Sequence, residues 1–318
     1  MKLLGDEHMI YTITLNPSID YFITISGELM DTEVNRADSE KYKGAGKGLN
    51  VSLVLNEMHI PSTAIAVLGG FTGQFIADSI RSKSYIHLQE VPVLGTNRIN
   101  VKIHNDDKTI CINGNGPCAD DHTKDVLFEK LAAIQKNDIV LLSGSSAKNI
   151  TEEWIKAIAR LVHDKEAKLI IDMESISLDH LAVYRPYLIK PNLYELSLLL
   201  GQEAAMTTIH EQLDQVLAHG VESILLSLGK DGAIFATKKH RYRLTHPAIH
   251  AVNKVGSGDA MLAAFIGKLS QDGDVVQALR WAGAGGMAAA STFEEVQAKT
   301  MRTYVEQCQV TRIDARKA

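Results

Sequence analysis

The chain has too few cysteines to be held together by them. Cys111, Cys118 and Cys308 are an odd number, and no C-x-x-C spacing occurs. That argues against a disulfide framework and a cysteine-ligated zinc site, and it fits a reducing cytoplasm. A basic block is also missing: 33 lysines and arginines stand against 38 aspartates and glutamates, a net charge of −5. A phosphodiester backbone calls for the opposite balance, so nucleic acid is not an expected partner. Nor is there a long apolar run. The longest, AGAGGMAAA over 282–290, falls far short of the roughly 20 residues that cross a bilayer. Asp6, Glu7 and His8 interrupt the N-terminal stretch before it reaches the length of a signal-peptide core, so no membrane partner is expected. Residues 1–8 read as a loose extension ahead of Met9.

Two nucleotide-binding fingerprints are missing or misplaced. The P-loop pattern G-x-x-x-x-G-K-[ST] does not occur. Gly283, Gly285 and Ala288 satisfy G-x-G-x-x-[GA], but they lie inside a small-residue helical pattern with no strand before it. Close helix packing is the expected use, not dinucleotide binding.

What is present is an alternation. The runs IYTITL, TAIAVLGG, DIVLLSGS, KLIIDME, YLIKPN, SILLSLG and GAIFAT are short, apolar and bounded by turn residues, which predicts buried, largely parallel strands. Amphipathic helical patterns separate them, from GLNVSLVLNEM to DVVQALRWAGAGGMAAAS. Thr151 is the expected N-cap of the helix that starts TEEWIKAI. Two stretches, about 19–43 and 89–116, read as strands and turns without helices, with a turn at Asn105-Asp106-Asp107. The expectation is one domain over 1–318 with a small β-sheet lid formed by those two stretches.

KVGSGDAMLAAFIGKL, residues 254–269, is the most informative stretch. Gly256, Ser257 and Gly258 precede a helix whose first N–H groups and partial positive charge suit an anion. Asp259 then stands in the first turn, as a helix cap or as a general base beside that anion. YKGAGKGLNVS, with Gly44, Gly46 and Gly48 ahead of Asn50, reads as a tight turn or as a grip on sugar hydroxyls. Asp20 in TLNPSID is a turn aspartate or a hydroxyl ligand. IKPNLYE has capping-box spacing from Asn192 to Glu195, and SLGKDG is a strand-to-turn segment. Arg98 in TNRINV suits a phosphate or a solvated strand face.

In this order TLNPSID, GAGKGLNVS, TNRINVKI, LSGS, IIDMES, LIKPNLYEL, SLGKDGA and KVGSGDA resemble the ribokinase-like (PfkB) carbohydrate kinases, nearest the 1-phosphofructokinase and tagatose-6-phosphate kinase branch. The resemblance implies an α/β fold: a ribokinase-like three-layer α/β/α sandwich with a mostly parallel central sheet and a small β-sheet lid. It implies ATP and Mg2+ as cofactors and phosphorylation of a ketohexose phosphate, nearest to fructose 1-phosphate becoming fructose 1,6-bisphosphate. Asp259 would be the base and Gly256, Ser257 and Gly258 the anion hole. Asp20, Gly46, Lys47 and Asn50 match sugar-binding positions, and Arg36 and Arg98 contacts to the sugar's phosphate. Lys190, Asn192 and Glu195 match the nucleotide and magnesium region, with Glu195 acting through water. Ser227, Gly229 and Gly232 match the nucleotide-side loop, and the lid a homodimer interface. Departures include SSAK where Leu-Pro usually follows the Ser-Gly-Ser, and Glu294 and Glu295 in a region that approaches adenine in relatives.

Overall fold

A computed structural model describes residues 8–27, 29–105, 108–174, 176–252 and 255–313. The expected extension up to residue 7, the turn residues Asp106 and Asp107, and Lys254 lie outside them. The described chain begins with β1 (Ile10–Thr14), β2 (Ser18–Ile25), β3 (Ser39–Ala45) and α1 (Lys47–Glu57). Next come β4 (Ser62–Leu68), α2 (Gly70–Arg81), β5 (Ile86–Pro92), β6 (Arg98–Asn105), β7 (Lys108–Asn113) and α3 (Asp121–Leu131). There follow β8 (Ile139–Gly144), α4 (Glu152–Asp164), β9 (Lys168–Met173), α5 (Leu178–Tyr184), β10 (Leu188–Ile189), α6 (Leu193–Leu200), α7 (Ile209–Ala218) and β11 (Ser223–Ser227). The last elements are β12 (Ala233–Thr237), β13 (Arg241–Thr245), α8 (Ser257–Asp272), α9 (Val275–Ala290), α10 (Ala298–Val305) and β14 (Gln309–Ile313).

The larger sheet runs β14-β13-β12-β11-β10-β9-β8-β1-β4-β5. Strands β5 through β11 in that order are parallel, and β12, β13 and β14 are antiparallel. The parallel strands are apolar on both faces because helices cover both. Ile13, Leu142, Ile171 and Leu226 pack with α3 to α7. From the opposite face of the same strands, Ile10, Leu141, Ile170 and Leu225 pack with α1 and α8 to α10. Each such side chain is fully enclosed, so truncating Leu225 to alanine is expected to cost about 2–5 kcal/mol. The three layers expected above are therefore present.

The smaller sheet has the order β3-β2-β6-β7. One end of it rests on α2, where a Cβ at Gly44 would meet Ser79 Oγ at 2.5 Å. Its boundaries differ from the expectation. Residues 89–92 belong to β5, which pairs with β4 in the large sheet, so the second lid segment starts at Arg98. The reason is that β5 is half apolar and at the edge, and reads like a lid strand. The antiparallel pair β13 and β14 and the helices α5 and α10 were not expected. Arg241, Arg243 and Arg312 interrupt the strands, and both helices are at most eight residues long.

Thr151 stands at the N-cap of α4 but makes no capping bond. Asn192 and Glu195 do form both halves of a capping box. Gly285 and Gly286 let α9 lie against α8, where a Cβ on Gly285 would meet Ala260 O at 2.5 Å, while Gly283 makes room for Cys308 and Leu244.

Candidate active site

The parallel strands direct their carboxyl ends to one edge, where an open α/β sheet offers its crevice. Asp172 near the end of β9 and Lys190 just after β10 sit there, and α1 and α8 start beside them. Gly256 is the N-cap residue of α8 with φ 78°, a left-handed conformation that favours glycine. As a glycine, this N-cap residue has no side chain with which to cap the helix. A Cβ on Gly258 would lie 3.1 Å from Lys190 Nζ, so the glycine brings the backbone close to a cation.

Asp259 is buried in the first turn of α8. Its Oδ2 accepts a hydrogen bond from Asn50 Nδ2 on α1 at 2.8 Å, instead of capping its own helix. Burial, and then the charge of Asp172, push its carboxyl up to about 6, while Asn50, Lys190 and Lys47 pull it down. Such a group is ionised at neutral pH yet basic enough to take a proton.

Asp172 holds the centre of the cluster, and the sequence reading assigned it no role. Lys47 Nζ lies 3.2 Å and Lys190 Nζ 3.5 Å from its Oδ1. Its Oδ2 is buried and, among the described residues, has no hydrogen-bond partner. The signal was present in the IIDMES stretch, a charged residue at the end of an apolar strand. Glu195 Oε1 is 3.9 Å from Lys47, and its Oε2 accepts from Asn192 N at 2.8 Å. Three carboxylates thus face two lysines. Burial lowers the Lys47 pKa, but Asp172, Asp259 and Glu195 outweigh it and raise the net value.

Asp20 lies on the smaller sheet. It accepts from Ser18 Oγ at 3.1 Å, from Asn100 Nδ2 at 2.9 Å, and from Lys102. It lines a cavity with Lys43, Asn50, Gly256, Glu294 and Glu295. Gly46, the N-cap of α1, has φ 150°, and a Cβ there would meet Thr14 Cγ2 at 2.6 Å. Arg98 donates from Nε to Asn16 O at 3.1 Å. Burial draws its guanidinium below the ordinary value, against the charges of Glu174 and Asp20.

Ser227 N and Oγ both donate to Pro191 O, at 2.9 and 3.3 Å, which sets β11 beside the start of α6. Gly229 and Gly232 occupy the following turn in left-handed conformations. Ser257 is the first residue of α8. The fold therefore gathers Asp259, the 256–258 turn, Asn50, Lys47, Lys190, Asn192 and Glu195 at one edge, with Ser227 next to Asn192 and Asp20 across the cavity from Asn50. Arg36 is the exception: it is exposed in the irregular connection 26–38, and among the described residues it forms no ion pair. A near-neutral carboxylate, a glycine-led helix start and two lysines can accept a hydroxyl proton while holding an anionic group in transfer.

The sequence profile of the pfkB family carbohydrate kinases matches residues 13–298. The chain is 32% identical to a 1-phosphofructokinase of Bacillus subtilis, over 96% of this chain and all of that protein. It is 34% identical to a D-tagatose-1-phosphate kinase of Bacillus licheniformis, over 87% of this chain and 91% of that one. The structure of phosphofructokinase-2 from Escherichia coli in complex with substrates and products superposes with a TM-score of 0.86 at 21% identity, over 94% of this chain and 98% of that one. At that identity the likeness concerns the fold.

Proposed function

Because the chain belongs to the pfkB family of carbohydrate kinases, we propose that it transfers the terminal phosphoryl group of ATP to the carbon-6 hydroxyl of a ketohexose 1-phosphate. Fructose 1-phosphate is the first candidate, giving fructose 1,6-bisphosphate. The tagatose ester expected above carries its phosphate at carbon 6, whereas the name of the B. licheniformis relative puts it at carbon 1. With the phosphate at carbon 1, fructose and tagatose leave the same carbon-6 hydroxyl open.

The observation that carries this reading is Asp259, a buried carboxylate raised to about 6 in the first turn of a helix that starts from a left-handed glycine. In the proposed step Asp259 takes the proton of the sugar hydroxyl. The new O–P bond forms as the bond between the β–γ bridging oxygen and the γ-phosphorus breaks, and ADP leaves. The N–H groups around Gly256, Ser257 and Gly258 hold the oxygens of the group in transfer, a contribution of roughly 2.7–4 kcal/mol per donor in comparable sites. Lys47 and Lys190 offset the charge, and Asn50 orients Asp259. Asp20 takes sugar hydroxyls beside Gly46, and Arg98 takes the existing phosphate, with Arg36 as a second cation from the connection 26–38. Asn192, Ser227, Gly229 and Gly232 form the nucleotide side.

The residues fit magnesium brought in on the nucleotide. Among the described residues no three carboxylates, histidines or cysteines converge as a protein cage. Glu195, with one oxygen turned to Lys47 and the other in its capping box, suits an outer partner reached through water. Bound there, the ion would neutralise phosphate charge.

A homodimer through the smaller sheet is part of the same proposal. Ile99, Ile110 and Ile112 lie on the face opposite Asp20 and are exposed. Light scattering on Ile112→Asp tests it: a monomer is expected, and an unchanged mass refutes the interface. No described helix is long and apolar enough to cross a membrane, and the three cysteines are unpaired, which supports the cytoplasm as the working compartment.

ADP release measured over fructose 1-phosphate, tagatose 1-phosphate, fructose 6-phosphate, ribose and adenosine tests the function. Turnover confined to the two 1-phosphates is the expected result. Turnover of the unphosphorylated acceptors alone, or of none, overturns it.

A further inference from the structure

Lys43 stands directly opposite Asp20 in the β2–β3 pair, so the two side chains leave the same face of the smaller sheet with Cβ atoms about 5 Å apart. Both line the cavity that contains Asn50 and Gly256. Their hydrogen-bonding states are opposite. A carboxylate offers about four acceptor positions, and Ser18, Asn100 and Lys102 each donate to Asp20. One position is left. Lys43 is donor-only, and among the described residues no ion pair or hydrogen bond engages its Nζ. The other cations of that face are committed: Lys102 to Asp20, Lys41 to Glu294 at 2.5 Å, and Arg98 Nε to Asn16 O. Burial pushes the Lys43 ammonium down, Glu295 and Asp20 push it back up, and Lys41 and Lys102 reinforce the lowering.

A single acceptor opening beside an unused donor matches two neighbouring hydroxyls. One donates its hydrogen to Asp20, and the oxygen of the next accepts from Lys43. Inverting either carbon turns one hydroxyl away and leaves a half-buried charge unsatisfied, the kind of loss on which hydroxyl recognition depends. We propose that Lys43 is a specificity-determining residue that, together with Asp20, reads the relative configuration of two adjacent hydroxyls on the sugar. The inference rests on the reading of this cavity as the sugar site.

D-fructose 1-phosphate and D-tagatose 1-phosphate differ in configuration at carbon 4 alone and serve as the probe pair. Calorimetric Kd and kcat/KM are measured for both esters with the wild-type chain, Lys43→Met and Lys43→Arg. Lys43→Met is expected to change the ratio between the epimers by about tenfold or more, and Lys43→Arg to keep most of the wild-type ratio. Lys43→Gln takes the place of Lys43→Met if the latter does not fold. If the uncharged variant weakens both esters equally, or neither, the proposal falls. A shifted binding ratio without phosphorylation keeps Lys43 in place and sinks the kinase reading. Phosphorylation with an unmoved ratio does the reverse, and no binding of either ester to the wild-type protein overturns both.

Discussion

The two walls of the crevice are built differently. On the large-sheet side, Asp172, Lys47, Lys190 and Glu195 hold one another at 3.2–3.9 Å from strand ends and helix starts. On the small-sheet side, Asp20 is nearly saturated while, among the described residues, no hydrogen bond or ion pair engages Lys43 beside it. The first wall is braced by its own ion pairs and suited to a reaction with fixed geometry. The second keeps unused hydrogen-bonding capacity, which suits a choice among acceptors. Chemistry depends on which strand ends and helix starts the large sheet brings to one edge, whereas selection depends on which residues a strand register sets opposite each other.

The sharpest way to break this contrast is Asp259→Asn. The variant is expected to lose about 10²–10⁴-fold in kcat with little change in the sugar's KM. Near-normal steady-state turnover would remove Asp259 from the base role and with it the special status of the large-sheet wall. Next in size, Arg98→Ala should raise KM for a sugar phosphate by about 10–100-fold, the range of a charge-assisted hydrogen bond, and leave an unphosphorylated acceptor unaffected. Equal effects on both would take Arg98 off the phosphate.

A pH profile sharpens the comparison further. Asp259 must be ionised to act, so kcat/KM should fall about tenfold per pH unit below about 6. A flat profile down to pH 5 would contradict the burial-raised carboxyl. The same shift has a stability consequence of opposite sense. Its folded pKa lies above the unfolded value near 3.8, so the stability contribution is full below that value and is lost as pH rises through about 6. Asp259→Asn should therefore be more stable than wild type at pH 8, by on the order of 3 kcal/mol at 1.36 kcal/mol per unit, and the gain should vanish near pH 4 in denaturant titrations. The smallest effect is expected at the exposed pair of Lys41 and Glu294. Glu294→Gln should leave the thermal midpoint within error, because such pairs are screened by water. A clear drop would mean that the acidic connection fastens the small sheet to the body.

Legibility in the sequence followed the same division. The parallel strands were readable because burial on both faces gives unbroken apolar runs, and the 254–269 stretch was readable because its glycines, its aspartate and the helix they precede are contiguous. Strands β13 and β14 were not, since they are short and polar residues, Arg241 and Arg243 in one and Gln309, Thr311 and Arg312 in the other, break the apolar run. Asp172 escaped assignment because Lys47, its partner, lies 125 residues away. Lys43 carried no signal until the β2–β3 register put it opposite Asp20. Arg36 shows the converse: its motif position alone did not bring it to the cluster.

The notch at Gly285 has a consequence of its own. It seats α9 on the carbonyl of Ala260, the residue that follows Asp259. A methyl group added there would shoulder α8 sideways and swing its leading carboxylate off Asn50, with no polar atom of the site altered. Turnover could thus be throttled from the back of the molecule, by bulk alone.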